Sequence, residues 1–247
     1  MSQHSLIIGG TRGLGRELVR MFSDQGHAVS VVGKRPPSED ARARKHVSCW
    51  AVDVTNKTAT QSTLAEIIAT NGRLDNLVFL QRFKGEGDKW IGEIETSLTA
   101  TKEIIEALAG QFSDAADHSI VVVSSIADTF IAEGQPASYH VAKAGLWHLA
   151  RYFAVALAPG RIRVNCVSPC TFIKQENEAF YAQNEKLRNL FQQVVPLGRM
   201  GNALDIAHVI SFLCSPQSSF VTGQRITVDG GVSLLSQESL ARKIAGI

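Results

Sequence analysis

Short runs of β-branched and aliphatic residues alternate with longer amphipathic stretches along all 247 residues, and this rhythm constrains the chain more than any other feature. "SLIIGG" reads as a first strand and "AVSVVG" as a second, with the amphipathic "GRELVRMFSDQG" between them. Further strands are expected at "HVSCWAV", "DNLVFL", "SIVVVSS", "IRVNCVS" and "RITVDG". Apolar residues three and four apart in "DIAHVISFLCS" predict a half-buried helix before the last strand. Strands interleaved with helices pair in parallel through crossovers. The expected fold class is therefore α/β: a doubly wound, mostly parallel seven-stranded sheet flanked by helices, in a single domain over 1–247. Such sheets bind ligands beyond the C-terminal ends of their strands.

Composition narrows the function. A net charge of +2 and few aromatics leave no nucleic-acid footprint and no membrane-binding face. The basic run "RARK", Arg42 to Lys45, reads as a solvated loop. No apolar run approaches the ~20 residues of a membrane span, and the apolar part of "MSQHSLIIGG" is too short for a signal peptide, so a cytoplasmic protein is expected. The four cysteines lack CxxC spacing and read as reduced core or loop thiols, with no metal site.

"IIGGTRGLGREL" places Gly9, Gly13 and Gly15 directly after the first strand and at the start of a helix. Glycines there allow a tight turn and let backbone amides meet a pyrophosphate at the positive helix N-terminus. The expected dinucleotide seat is this loop, with Thr11, Arg12 and Leu14 as its other members. The second strand ends in Gly33, where an acidic residue would take the ribose hydroxyls of NAD, and is followed by Lys34 and Arg35. With Arg12, these cations suit a 2′-phosphate and favour NADP(H) over NAD(H); the alternative is that Lys34 and Arg35 are solvent-facing loop charges.

"SYHVAKAGL" adds a phenol and an ammonium four residues apart, Tyr139 and Lys143, on one face of a predicted helix. Alone the pair is ambiguous between a catalytic acid with its partner and an aromatic beside a surface charge. Taken with its context, the chain resembles the short-chain dehydrogenase/reductases, NAD(P)-dependent enzymes built on one Rossmann-like domain. The resemblance runs from "GGTRGLG" through Asp53 and Val54, "VVVSS" ending at Ser125, "YHVAK", "IRVNCVSP" ending at Pro169 and "PLGRMG" to the closing "VDGG".

Carbonyl reduction places hydride on carbon and a proton on oxygen, and gains most from stabilising the developing alkoxide. A tyrosine, of reference pKa near 10, needs a nearby ammonium to act near neutrality, and Lys143 stands one helical turn away. The resemblance implies that Tyr139 is the acid/base, that Lys143 also bonds the nicotinamide ribose, and that Ser125 hydrogen-bonds the substrate oxygen, with Ser124 as the alternative if the loop is shifted by one. It also implies adenine contacts from Asp53 and Val54 and nicotinamide-side contacts from Pro169 and Thr171. His140, roughly 100° around the helix, is expected to be a neighbour and not the acid.

Three places depart from the family pattern. The Asn-Asn-Ala-Gly after the fourth strand is replaced by Phe79, Leu80, Gln81 and Arg82. Ser97 stands where an asparagine of the proton relay is expected, within "IGEIETSLTATKEIIEAL". Pro-Gly becomes Pro169-Cys170, and Lys174 takes the place of a threonine, for which Thr171 substitutes only if the loop is rebuilt. The segment at about 174–198, with Phe180, Tyr181, Leu187, Leu190 and Phe191, is expected to be an amphipathic substrate lid, and Arg82 and Lys84 could attract an anionic substrate.

The resemblance further implies a homodimer or homotetramer through helices at 91–112 and 139–157, with Ala144-Gly145 allowing close approach. In the tail at 232–247, Leu240 and Ile244 share a helical face and are expected to touch the body or a neighbouring subunit. Two main readings follow: an NADP(H)-dependent oxidoreductase, a carbonyl reductase or alcohol dehydrogenase for a small carbonyl or hydroxyl substrate, or a catalytically weak or inactive NADP(H)-binding regulatory or scaffold protein. An epimerase or dehydratase using the same pair is a remoter third.

Overall fold

A computed structural model describes residues 3–35, 43–113 and 117–247. Arg42, the first residue of the basic run, lies outside them. In chain order the elements are β1 (His4–Ile8), α1 (Leu14–Asp24), β2 (Ala28–Gly33), β3 (Val47–Ala51), α2 (Lys57–Asn71), β4 (Asn76–Phe79), α3 (Lys89–Glu93), a π-helical stretch (Ile94–Thr99), α4 (Ala100–Leu108), β5 (His118–Val123) and α5 (Ala137–Ala156). There follow β6 (Ile162–Pro169), β7 (Phe172–Ile173), α6 (Glu178–Gln183), α7 (Glu185–Val194), β8 (Gly201–Asn202), α8 (Ala203–Leu213), β9 (Arg225–Val228) and α9 (Gln237–Ala245).

Seven strands form one sheet in the order β3-β2-β1-β4-β5-β6-β9, every pair parallel. The strand order reverses between β1 and β4, whose ends are held in register by Ile8 opposite Phe79, so the crevice of a doubly wound sheet opens there. The two-residue side-chain period divides the core. Leu6, Ile8, Phe79, Ile120 and Val122 pack with Ile67, Ile104, Ile105 and Phe153 from α2, α4 and α5. Ile7, Val31, Val78, Val121 and Val167 face Leu18, Phe22, Ile206 and Ile210 from α1 and α8. Burial on both faces explains why the strands read as near-continuous apolar runs.

The segment read as one helix from Ile91 is interrupted: α3 widens into the π-helical stretch before α4 resumes. π-Helical turns insert a residue without breaking the helix axis and shift the side chains that follow. Gly145, expected to allow close approach at a subunit contact, lets Leu98 of that stretch approach α5 within the chain: a Cβ there would lie 2.9 Å from Leu98 Cδ1. The strands β7 and β8 pair in parallel and tie together the two ends of the 174–198 segment, which carries α6 and α7. The tail helix α9 lies against α7, with Leu240 half-buried and Ile244 52% exposed. Among the described residues no helix is long and apolar enough to cross a membrane.

Candidate active site

Between β1 and α1 the chain turns through Gly9 at φ +88° and Gly13 at φ +51°, which L-residues with a Cβ rarely adopt. Gly15 is required for contact: a Cβ on it would lie 2.4 Å from the Gly9 carbonyl oxygen. At Gly13, by contrast, an added Cβ would meet only side chains, Lys174 Cδ at 3.2 Å and Glu176 Oε2 at 3.4 Å. At Gly13 the backbone is therefore covered only by movable side chains, which fits a dinucleotide pyrophosphate there. Helix α1 has no side-chain cap of its own. Its anion seat is met by Glu176, whose Oε1 accepts the Gly13 N–H at 2.9 Å and an Arg16 N–H at 2.6 Å. Leu14 is buried at the start of α1, whereas Arg12 is exposed.

At the ends of β2 and β3, Thr11 packs against Gly33, where a Cβ would lie 2.7 Å from Thr11 Cγ2. Lys34 and Asp53, expected to serve different parts of the nucleotide, form an ion pair at 2.6 Å. Burial works against the Asp53 carboxylate, but Lys34 and Thr55 hold its pKa below the usual range. Val54 is half-buried against the core. Arg35 is exposed.

Helix α5 carries Tyr139 and Lys143 on one face, with the Lys143 Nζ 5.6 Å from the Tyr139 ring centroid. Lys143 is 4% exposed and its Nζ donates to the Val123 carbonyl at 3.1 Å, which fixes it beneath the end of β5. Burial pushes its pKa down to about 8; the Glu93 carboxylate pulls it up, and Arg82 and Lys174 push it down. The two serines separate. Ser124 is buried, and its hydroxyl donates to the Lys143 carbonyl at 2.8 Å, tying strand to helix. Ser125 is half-buried and caps the 3₁₀ turn Ile126–Asp128, which packs against α5. That turn is pinned by Asp128, which accepts from Ser168 at 2.6 Å and Arg225 at 2.6 Å. His140 accepts the Ala132 N–H at Nε2, 2.9 Å, so its Nδ1 carries the proton that it donates to the Pro136 carbonyl. It clamps the loop before α5.

The loop after β4 turns toward this pair. Phe79 is buried in the core and does not line a groove. Gln81 donates to Thr101 Oγ1 at 2.7 Å and holds the loop to α4. Arg82 lays its guanidinium over the Tyr139 ring, 4.6 Å from the centroid, donates to Gln135 Oε1 at 2.9 Å and stands 3.8 Å from Glu93 Oε1. Glu93 is 3% exposed, and its other oxygen accepts from the Ser97 hydroxyl at 3.2 Å. Ser97 is wholly buried on the π-helical stretch. On the opposite wall, Pro169 ends β6 opposite Val228, the Cys170 N–H donates to the Val228 carbonyl at 3.3 Å, and Thr171 is exposed. Lys174, not Thr171, reaches across to the glycine loop.

The residues that sequence reasoning did not place here are Glu93, Gln135 and Glu176. Glu93 stood four residues before Ser97 on one helix, a spacing that pointed to it. Glu176 meets Gly13 from 163 residues away, and no local pattern announces that contact.

Comparison with known proteins agrees in extent with this geometry. A family model described as Enoyl-(Acyl carrier protein) reductase matches residues 9–233. The 3-oxoacyl-[acyl-carrier-protein] reductase of Chlamydia trachomatis is 30% identical, over 94% of this chain and 98% of that protein. The enzyme of the same name from Staphylococcus aureus is 28% identical over 94% and 98%. Among solved structures, a short-chain dehydrogenase from Leptospira borgpetersenii with bound NAD+ superposes with a TM-score of 0.80 at 26% identity, over 94% of this chain and 93% of that one.

Proposed function

The chain belongs to the short-chain dehydrogenase/reductase family, and from that premise we propose that it is an NADP(H)-dependent carbonyl reductase or alcohol dehydrogenase for a small substrate. The observation that carries this reading is the α5 pair, Tyr139 with the buried Lys143 ammonium 5.6 Å from its ring, beside the turn capped by Ser125. A nicotinamide held here would supply the hydride chemistry, in either direction. Tyr139 gives its proton to the substrate oxygen, Ser125 donates a hydrogen bond to that oxygen, and the Lys143 ammonium stabilises the phenolate left behind. Ser97, hydrogen-bonded to Glu93, stands in the relay position. The glycine loop, Gly9 to Gly15, would hold the pyrophosphate, with Lys174 lying beside Gly13; Asp53 and Val54 would border the adenine, and Pro169 and Thr171 the nicotinamide side.

Arg12, Lys34 and Arg35 favour the 2′-phosphate of NADP(H), although Lys34 must leave Asp53 to serve it. That curated relatives are named 3-oxoacyl-[acyl-carrier-protein] reductases supports a carbonyl substrate. The 174–198 segment closes over it as a lid. Tyr152 and Val155, 64% and 78% exposed on α5, form part of a homodimer or homotetramer surface.

The test is fluorescence titration with NADPH and NADH, followed by turnover of ketones, quinones and oxoacyl thioesters. Tyr139→Phe is expected to lower kcat by on the order of 100-fold or more at unchanged NADPH affinity. An unchanged rate removes Tyr139 from the chemistry.

A second reading has its own support. Glu176 already meets the anion seat and Asp53 already neutralises Lys34, so the chain's own carboxylates compete with the nucleotide at both ends. A weakly active nucleotide-binding regulator would have these features. Tight NADPH binding with no turnover across the panel favours it.

A further inference from the structure

The cationic group above Tyr139 has a use that the hydride-transfer reading leaves open. Arg82 is held from three sides: the Tyr139 ring at 4.6 Å, Glu93 Oε1 at 3.8 Å and Gln135 Oε1 at 2.9 Å. Its side chain nonetheless remains 39% exposed. A guanidinium offers five N–H donors in a fixed fork, so one hydrogen bond to Gln135 leaves most of them for a ligand.

The charges around it do not cancel. Lys84 and Arg82 both act on the Lys174 ammonium, and Arg82 and Lys174 both act on Lys143. Two carboxylates face this group. Glu93 lies behind Arg82 and Lys143, buried and hydrogen-bonded to Ser97. Glu176 acts on Lys174 but is itself paired with Arg16. Arg82 and Lys143 stand 4.6 Å and 5.6 Å from the Tyr139 ring centroid, and among the described residues the buried Glu93 is the carboxylate placed against them, so the exposed edge of Arg82 faces outward as a cation.

Resting on the proposed reductase reading, we propose that Arg82 is the anchor for a carboxylate of the substrate, which is a short oxo acid. The guanidinium lies over the ring that carries the proton-donating hydroxyl. With the guanidinium 4.6 Å from the ring centroid, a carboxylate on its exposed edge and a carbonyl oxygen at Tyr139 call for a short acid with the two groups one or two carbons apart, a 2-oxo or 3-oxo acid. Arg–carboxylate pairing is bidentate and directional, so it orients the carbonyl as well as binding it. Glu93 and Gln135 are positioning residues that hold the fork in place, and Lys84 and Lys174 supply long-range attraction. A second source of the same chemistry is the dinucleotide's own phosphates, and the experiment separates the two.

Wild type, Arg82→Gln and Arg82→Lys are compared on 2-oxobutanoate and 3-oxobutanoate and on their methyl esters, with NADPH saturating. The ratio of kcat/KM for acid over ester is expected to favour the acid in wild type by about 10- to 100-fold. It falls to near one in Arg82→Gln and is partly kept in Arg82→Lys. NADPH affinity, read by fluorescence, stays within about 3-fold across the three proteins. Equal use of acid and ester by wild type, or a preference that survives Arg82→Gln, overturns the proposal. Loss of NADPH affinity in Arg82→Gln with an unchanged acid-to-ester ratio assigns the guanidinium to the cofactor's phosphates and overturns it too.

If wild type turns over none of the four compounds, calorimetric titration of the acids into the NADP+-loaded protein decides. Binding that Arg82→Gln abolishes upholds the anion anchor, and the reductase reading is then decided by the panel of ketones, quinones and oxoacyl thioesters. Absence of binding to wild type overturns the anchor and leaves that panel to decide the reductase reading.

Discussion

Burial and two charged neighbours, Glu93 and Arg82, bear most on whether Lys143 is charged when it is needed. Burial lowers its pKa to about 8, Glu93 opposes that, and Arg82 adds to it. The ammonium is present below that pH and lost above it, so kcat/KM for carbonyl reduction should decline as pH rises through about 8. Glu93→Gln removes a stabilising carboxylate and should move this limb to lower pH, whereas Arg82→Gln should move it higher. A pH–rate profile of the three proteins checks both signs; limbs that do not move would separate these groups from Lys143. Glu176 makes a second residue-level prediction. Its carboxylate accepts the Gly13 N–H where the proposed pyrophosphate would sit, so Glu176→Gln should tighten NADPH binding by about 3- to 10-fold in low salt, with less effect in high salt. Weaker binding in that variant would mean that Glu176 supports the loop and does not compete for it. Tyr139 and Lys143 could be paired from their spacing because a helix turn fixes it, and Ser125 was preferred to Ser124 from the resemblance alone; that the Ser124 hydroxyl is taken by the Lys143 carbonyl could not be read from the sequence.

At the scale of elements, the junction of β1 and α1 shows how tightly the loop is built. A Cβ on Gly15 would lie 2.4 Å from the Gly9 oxygen and 2.6 Å from Gly10 Cα, and backbone cannot give way as a side chain can. Gly15→Ala should push α1 off the strand, costing about 1–3 kcal/mol in urea unfolding and lowering NADPH affinity together. A stable variant with normal affinity would show that the helix has room to move. The five central strands were legible because each is a short, almost wholly buried run rich in aliphatic residues, and the half-buried edge strands β3 and β9 because they repeat the same spacing along the chain. The π-helical stretch was not, because a single widened turn keeps the apolar spacing of an ordinary helix and leaves no signature in its own residues. The same holds for β7 and β8, two residues each, which are strands only because the ends of the 174–198 segment meet.

Across the whole molecule, His4 joins elements far apart in the chain. Its ring bonds Ser30 Oγ on β2 at 2.8 Å and the Gly72 carbonyl after α2 at 2.9 Å. Burial lowers its pKa below the ordinary 6.5, against the pull of Gly72 and Asp75, and burial lowers that of His27 likewise. The unfolded chain therefore binds more protons than the folded one below about pH 6.5, so stability is full above that pH and declines as pH falls beneath it. Melting temperature should drop between pH 7.5 and 5.5, and drop less in His4→Gln; equal drops would place the acid sensitivity elsewhere. The alternation of strand and helix patterns, the glycine loop and the Tyr139–Lys143 spacing were determined by the sequence alone, because each depends on the geometry of residues within a few positions of one another. The meeting of Glu176 with Gly13, of Lys34 with Asp53 and of Arg82 with Tyr139 was decided only by the tertiary structure. Parallel crossovers bring all the strand ends to one edge of the sheet, and loops distant in sequence converge there under packing that no local pattern encodes.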